Sequence, residues 1–199
     1  MKNRAIKLGA LSLALAFPVS QPLLAHKLIA QSQVVDVAKS DVVVVPGRDW
    51  NRLSGSIGKN VERWTLDGQQ LNEVTFYGGI LPGNPLVKER SKKHEPLPKF
   101  TAQTLLIEIP ELLEGTYRPY RSLTAFDTVS VEPVQFLGND GVSFEYRYDD
   151  NDGLRRRGVA QAAIVSGRLY MMTYDAPRLH YFDKNLGDFL ALVAAAKFG

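Results

Sequence analysis

Hydrophobic and polar positions alternate most clearly in the second half of the chain. Val142, Phe144, Tyr146 and Tyr148 interleave with Ser143, Glu145 and Arg147. That period of two predicts a strand. Asp149-Asp150-Asn151-Asp152-Gly153 supplies a turn, Leu154 to Val165 a returning strand, Ser166-Gly167 a tight turn, and Arg168 to Asp175 a third strand. Ala176-Pro177 ends this meander. Upstream, Val34-Val35 and Val42 to Val45 are strand material, and Pro46-Gly47 stops the second run. Residues 47–60 read as a loop with Trp50 as a buried anchor. Val61 to Leu66 and Leu71 to Phe76 predict two strands around the turn Asp67-Gly68, and Gly78-Gly79 and Leu81-Pro82-Gly83 then break the chain.

Two stretches carry a helical pattern. Pro110 suits the first position of a helix, and Glu111 and Glu114 complement its positive end. Its end falls at Gly115 or at Arg118, before Pro119. A closing helix is predicted over 185–198, capped by Asn185, with Leu186, Phe189, Leu190, Val193 and Lys197 on one face.

The meander implies a register. If Tyr148 faces Leu154, then Tyr146 faces Arg156, Glu145 faces Arg157 and Arg147 faces Arg155. If Val165 faces Arg168, Asp175 lies opposite Gly158. One sheet face then carries Phe144, Tyr146, Tyr148, Leu154, Ala160, Ala162, Ile164, Leu169 and Met171. Val159, Ala163, Val165, Tyr170, Met172 and Tyr174 fall on the other. A sheet with two apolar faces must be covered on both sides. The expected fold class is therefore α+β: an antiparallel β-sheet with helices on both faces, a three-layer α/β/α sandwich.

Charge separates the N-terminus from the rest. Lys2, Arg4 and Lys7 precede an apolar stretch, Leu8 to Val19, and Leu23-Leu24-Ala25 offers a cleavage site. This is the layout of a signal peptide, with Ala30 as the other possible last residue. The expected organisation is a signal peptide over 1–25, an N-terminal strand region over 26–46, and one α+β domain over 47–199. The apolar stretch falls short of the roughly 20 residues that span a bilayer. The expected location is thus outside the cytoplasm, in the periplasm or released from the cell, with no transmembrane segment after cleavage. Taking those three cations from 24 Lys and Arg leaves 21, against 21 Asp and Glu. The overall basic excess disappears, and with it the argument for a nucleic-acid partner.

The chain has no cysteine and three histidines. Disulfides, thiolate metal sites and thiol catalysis are excluded. His26, His94 and His180 lack metal-ligand spacing, so no metal and no cofactor is expected. The acidic turn does not match a calcium loop, because Tyr148 stands where the first ligand belongs. The glycine-rich stretch 78–83 lacks the lysine of a phosphate loop. Arg147, Arg155 and Arg157 gather at one strand end as a candidate site for an anion or an acidic partner. The polar run from Lys88 to Lys99 reads as an exposed loop, or as a docking surface for an acidic partner or headgroup. Asp175 could orient His180 as a general base.

The segments Trp64-Thr65-Leu66-Asp67-Gly68, Gly78-Gly79-Ile80, Gly167-Arg168-Leu169-Tyr170 and Asp175-Ala176-Pro177 resemble a group of exported Gram-negative proteins without an assigned activity, over about residues 48–198. The order of elements resembles the PsbP-type sandwich of photosystem accessory proteins and nuclear-transport regulators. That resemblance implies a non-enzymatic binder and transfers no functional residue. The resulting expectation is a non-enzymatic envelope protein that binds a protein partner as an accessory or assembly factor. The alternative is a small-molecule or anionic-ligand binding protein; a hydrolase using His180 and Asp175 ranks last.

Overall fold

The computed structural model describes residues 27–90, 96–151 and 153–199. The expected signal peptide, His26, His94 and Asp152 lie outside these residues. The chain runs β1 (Lys27–Ile29), β2 (Val35–Asp36), β3 (Val42–Val44), β4 (Trp50–Arg52), β5 (Val61–Thr65), β6 (Glu73–Ile80), α1 (Ile109–Arg121), β7 (Phe126–Phe136), β8 (Asn139–Asp149), β9 (Arg155–Val165), β10 (Arg168–Pro177), α2 (Tyr181–Ala195) and β11 (Lys197–Phe198). Eight strands form an antiparallel sheet in the order β1-β4-β5-β6-β10-β9-β8-β7. Its halves are two meanders joined where β10 pairs with β6. A second sheet, β11-β3-β2, holds three short strands.

The three-layer α/β/α sandwich is corrected by this architecture. The molecule is mostly antiparallel sheet with two short helices, of 13 and 15 residues. Eight strands at about 4.8 Å span roughly 34 Å between the outer strands, whereas a 13-residue helix is only about 20 Å long and 10 Å wide. One helix cannot cover such a face. Under α1 the remainder is closed by the connection from β6, where Leu86, Val87, Leu97 and Phe100 join Ile109, Leu113, Phe144 and Met171 in one core. On the other face α2 shares the cover with the small sheet. Phe182 and Phe189 pack there with Trp50, Trp64, Phe76, Tyr174 and Val44.

Local rules explain most departures from the sequence reading. The β9–β10 register is the expected one, with Val165 opposite Arg168 and Asp175 opposite Gly158. The β8–β9 register is two residues away from expectation: Tyr148 faces Arg156, and Arg147 faces Arg157. The loop closes later than Tyr148, where the Asp150 N–H donates to the Leu154 carbonyl at 3.0 Å. A shift of two preserves side-chain parity, so both sheet faces survive it. Only Leu154 leaves its assigned face for solvent, 44% exposed. Helix α2 starts at Tyr181 rather than at Asn185. Asn185 is buried within it and donates to Asp67 Oδ2 at 2.7 Å. Helix α1 continues past Pro119 to Arg121, and Ser122 closes it in the left-handed region.

Residues 27–46 contribute to both sheets, β1 beside β4 and β2–β3 beside β11. Ile29 is buried. Cleavage after Ala25 would leave β1 in place, whereas cleavage after Ala30 would remove it. No helix among the described residues is long and apolar enough to cross a membrane.

Candidate ligand site

Gly78 and Gly79, read from sequence as a break, lie inside β6. Gly79 (φ +74°) is the extra residue of a bulge, since Leu169 pairs with Ile80 and Tyr170 with Gly78. Such bulges favour glycine at positive φ. A Cβ at Gly78 would sit 2.6 Å from the Ser40 side chain and 2.9 Å from the Ala38 Cβ. The hairpin turn between β2 and β3 therefore rests directly on this glycine, which brings Lys39 over the end of the main sheet.

A cleft of about 760 Å³ opens at that end. Its floor is Asn60, Gly79 and Ile80. The 56–60 loop forms one side and the 84–88 segment another, and the Lys88 N–H donates to the Ile57 carbonyl at 2.6 Å. Leu81 and Pro85 give it apolar surface, with the buried Leu86 and Val87 behind them. Lys39, Lys59, Lys88 and Arg168 line it as well, and no acidic side chain lines it among the described residues. All four cations are exposed, and none makes an ion pair with a described residue. Cations around a partly apolar cleft create a positive potential that attracts an anion. The volume is that of an ordinary small-molecule site.

Arg147, Arg155 and Arg157 share one face at the opposite end of the sheet, beside the start of α2. They are brought together, but among acids. Arg157 reaches Glu145 Oε2 at 3.2 Å and Asp183 Oδ1 at 3.5 Å, and its guanidinium lies 4.3 Å from the Phe182 ring centre. Arg155 lies 3.9 Å from Asp149. Arg147 faces Arg157 on one side and Asp127 of β7 on the other. The cross-strand repulsion expected at Arg147 is thus offset by neighbouring carboxylates.

Asp175 and His180 do not form the anticipated pair. Asp175 points to the α1 side of the sheet and is buried, while His180 is exposed at the entry to α2, its ring against Tyr181. The Asp175 carboxylate accepts from the Tyr148 and Tyr117 hydroxyls and lies 3.6 Å from Arg121. Arg121 also donates to Glu73 at 2.9 Å, and Glu73 pairs with Arg63 at 3.2 Å. Burial pushes the Tyr148 and Tyr146 hydroxyls well above their ordinary pKa and raises that of Tyr117. Tyr148 and Tyr117 remain neutral donors to Asp175, whereas the buried Tyr146 hydroxyl has no hydrogen-bond partner among the described residues. Burial alone would lower the Arg121 pKa, but Asp175 and its neighbours hold it well above the usual value. The result is a charge-compensated lock between α1 and the sheet, with no open access for a substrate.

The cleft cations were not assembled by the sequence reading. They come from four separate segments, and only Lys88, at the head of the polar run, carried a signal. The rest of that run is partly visible: the Arg90 guanidinium lies 4.9 Å from the Tyr120 ring centre, and residues 91–95 lie outside the described residues. Among the described residues no group of three or more His, Asp or Glu side chains could hold a metal ion.

No family model matches the sequence, and no curated protein matches it. Among solved structures, cyanobacterial PsbP (CyanoP) from Synechocystis sp. PCC 6803 is similar at 10% identity over 93% of this chain and 99% of that one, with a TM-score of 0.55. The Ran-binding protein Mog1p of Saccharomyces cerevisiae gives 8% identity, 88% and 96% coverage, and a TM-score of 0.43. LpqN of Mycobacterium tuberculosis, involved in cell envelope biogenesis, gives 10% identity, 90% and 86% coverage, and 0.35. The PsbP likeness expected from the order of elements therefore holds at the level of fold, although the helix layering attached to it does not.

Proposed function

We propose that this chain is a non-enzymatic binding protein of the bacterial cell envelope, and that it holds an anionic ligand in the cleft lined by Lys39, Lys59, Lys88 and Arg168. One observation carries the reading: these four cations share a cleft of about 760 Å³ with no described acidic side chain among them. The N-terminal signal supports an exported protein. The burial of Asp175 beneath α1 weighs against the hydrolase reading. Binding is read by thermal shift of the purified protein with inorganic pyrophosphate at low salt. The midpoint is expected to rise with ligand, as for any molecule bound only by the folded state. A Lys39→Ala/Lys59→Ala/Lys88→Ala variant is expected to bind at least about tenfold more weakly, since charge-assisted contacts dominate such a site. Equal shifts in both proteins would remove the cleft from consideration.

A second reading, a protein partner, is favoured at the arginine end. Leu179 is 77% and Leu154 44% exposed there, and the Arg178 N–H donates to the Arg155 carbonyl at 2.8 Å. Apolar side chains among exposed arginines suit an acidic protein surface. A photo-crosslinking residue at Leu179 in the native envelope is expected to capture one discrete protein, with capture lost in an Arg147→Ala/Arg155→Ala/Arg157→Ala background. A diffuse ladder of products, unchanged in that background, would refute this reading.

A further inference from the structure

We infer that the ligand of the cationic cleft is an anionic amphiphile: a phosphate or carboxylate head held by Lys39, Lys59, Lys88 and Arg168, and an alkyl chain laid on Leu81 and Pro85, over the buried Ile80, Leu86 and Val87. The inference rests on the anion-binding reading above and names the ligand class it leaves open. The first argument is size. A cleft of about 760 Å³ has the volume of roughly 25 waters at about 30 Å³ each, far more than an inorganic anion fills. The second is composition. Leu81 and the partly exposed Pro85 supply the accessible apolar lining, and the buried Ile80, Leu86 and Val87 lie behind them. No aromatic side chain lines the cleft among the described residues, and a nucleotide base would find no ring to stack on. Lysine stems lie along apolar surface while their ammonium groups stay at the wet mouth. The arrangement matches a chain below and a charged head above.

Exposure at the lip gives a third argument. Leu81 lines the cleft and is 44% exposed. Pro85 bridges to Lys99, and Phe100 exchanges hydrogen bonds with Gly83 and Asn84, donating its N–H to the Asn84 carbonyl at 3.0 Å. The lip of the cleft thus carries an apolar side chain, Leu81, that the fold leaves in water, where a ligand chain could cover it.

The test is calorimetric titration of the purified protein with butyl, octyl and dodecyl phosphate below their micellar concentrations. Each methylene buried on binding tightens affinity by up to about fourfold, so octyl phosphate is expected to bind at least about tenfold more tightly than butyl phosphate. Leu81→Ser is expected to flatten that dependence, weakening octyl and dodecyl phosphate more than butyl phosphate. Lys59→Ala/Lys88→Ala is expected to weaken the whole series and keep the dependence. Equal affinity for butyl and octyl phosphate overturns the amphiphile while the anion reading stands. Failure of every alkyl phosphate and of pyrophosphate overturns both. Octyl glucoside binding as tightly as octyl phosphate also overturns the inference, because the charge would then be irrelevant. Vesicles of phosphatidylglycerol and phosphatidylcholine identify the source: co-sedimentation together with chain-length dependence marks a membrane lipid, and chain-length dependence without co-sedimentation marks a free amphiphile.

Discussion

Lys39 occupies a conformation that its residue type resists. It and Ala38 have φ of +51° and +55°, the pattern of a tight hairpin turn that prefers Asn-Gly. An L-residue there costs about 1–2 kcal/mol. The turn is held by Ser40, whose N–H and Oγ both donate to the Val37 carbonyl, and by its seat on Gly78. Lys39→Gly is expected to relieve part of that strain, raising stability by up to about 1 kcal/mol and the melting temperature by roughly 2–4 °C. The same change removes a cation, so anion affinity should fall severalfold. Lys39→Ala, which keeps the strain and loses the charge, separates the two effects by thermal melts and titration. An anion affinity untouched by both variants would exclude Lys39 from the site. Little of this was legible in the sequence. Ser40 and the valines after Asp41 announce a strand, but a turn without glycine or asparagine carries no mark of itself. Lys59 and Arg168 are ordinary surface cations until β5, β6 and β10 bring them to one edge.

At the scale of elements, the last turn of α1 is the instructive case. Pro119 removes the hydrogen bond to the Gly115 carbonyl, and from sequence alone the helix should stop there. It continues because its final residue, Arg121, reaches Glu73 at 2.9 Å and Asp175 at 3.6 Å, and sits 4.6 Å from the Tyr117 ring centre. These partners come from β6 and β10, far away in sequence, so no local pattern contains them. Arg121→Met is expected to cost about 3–5 kcal/mol, because it strands buried carboxylates without their cation. Arg118→Met is the control. Arg118 is half-exposed, pairs with Glu114 one turn away at 2.7 Å and donates to the Phe126 carbonyl at 3.1 Å, contacts worth about 1–2 kcal/mol together. Urea unfolding of both variants checks this, and equal losses would show that the buried lock adds nothing beyond a surface pair. The β9–β10 register, by contrast, was legible, because Ser166-Gly167 leaves a two-residue turn only one closure. The Asp149–Gly153 turn permits several closures, and the observed one is two residues from the expected.

At the scale of the molecule, the longest unread element was β7, and the reason is its place in the sheet. It is the outermost strand beside β8, with Val129 43% and Val131 40% exposed, and it carries Asp127, Glu132 and Pro133. An edge strand has no second neighbour to satisfy, so its pattern is half erased, and proline is tolerated there as it would not be at the centre. Those same residues do physical work. Eleven residues of open edge would template pairing with another chain. A bulge between Thr128 and Ser130 and the proline at 133 interrupt that edge, and the carboxylates repel a second copy of it. Glu132→Val/Pro133→Thr should restore a continuous apolar edge without touching the core. The variant is then expected to self-associate at about 0.1–1 mM, the range in which exposed edges pair, while the melting temperature changes little. Sedimentation equilibrium decides it. A double variant that sediments like the parent across that range would mean that Asp127 and the bulge already close the edge, and that Glu132 and Pro133 are there for another reason.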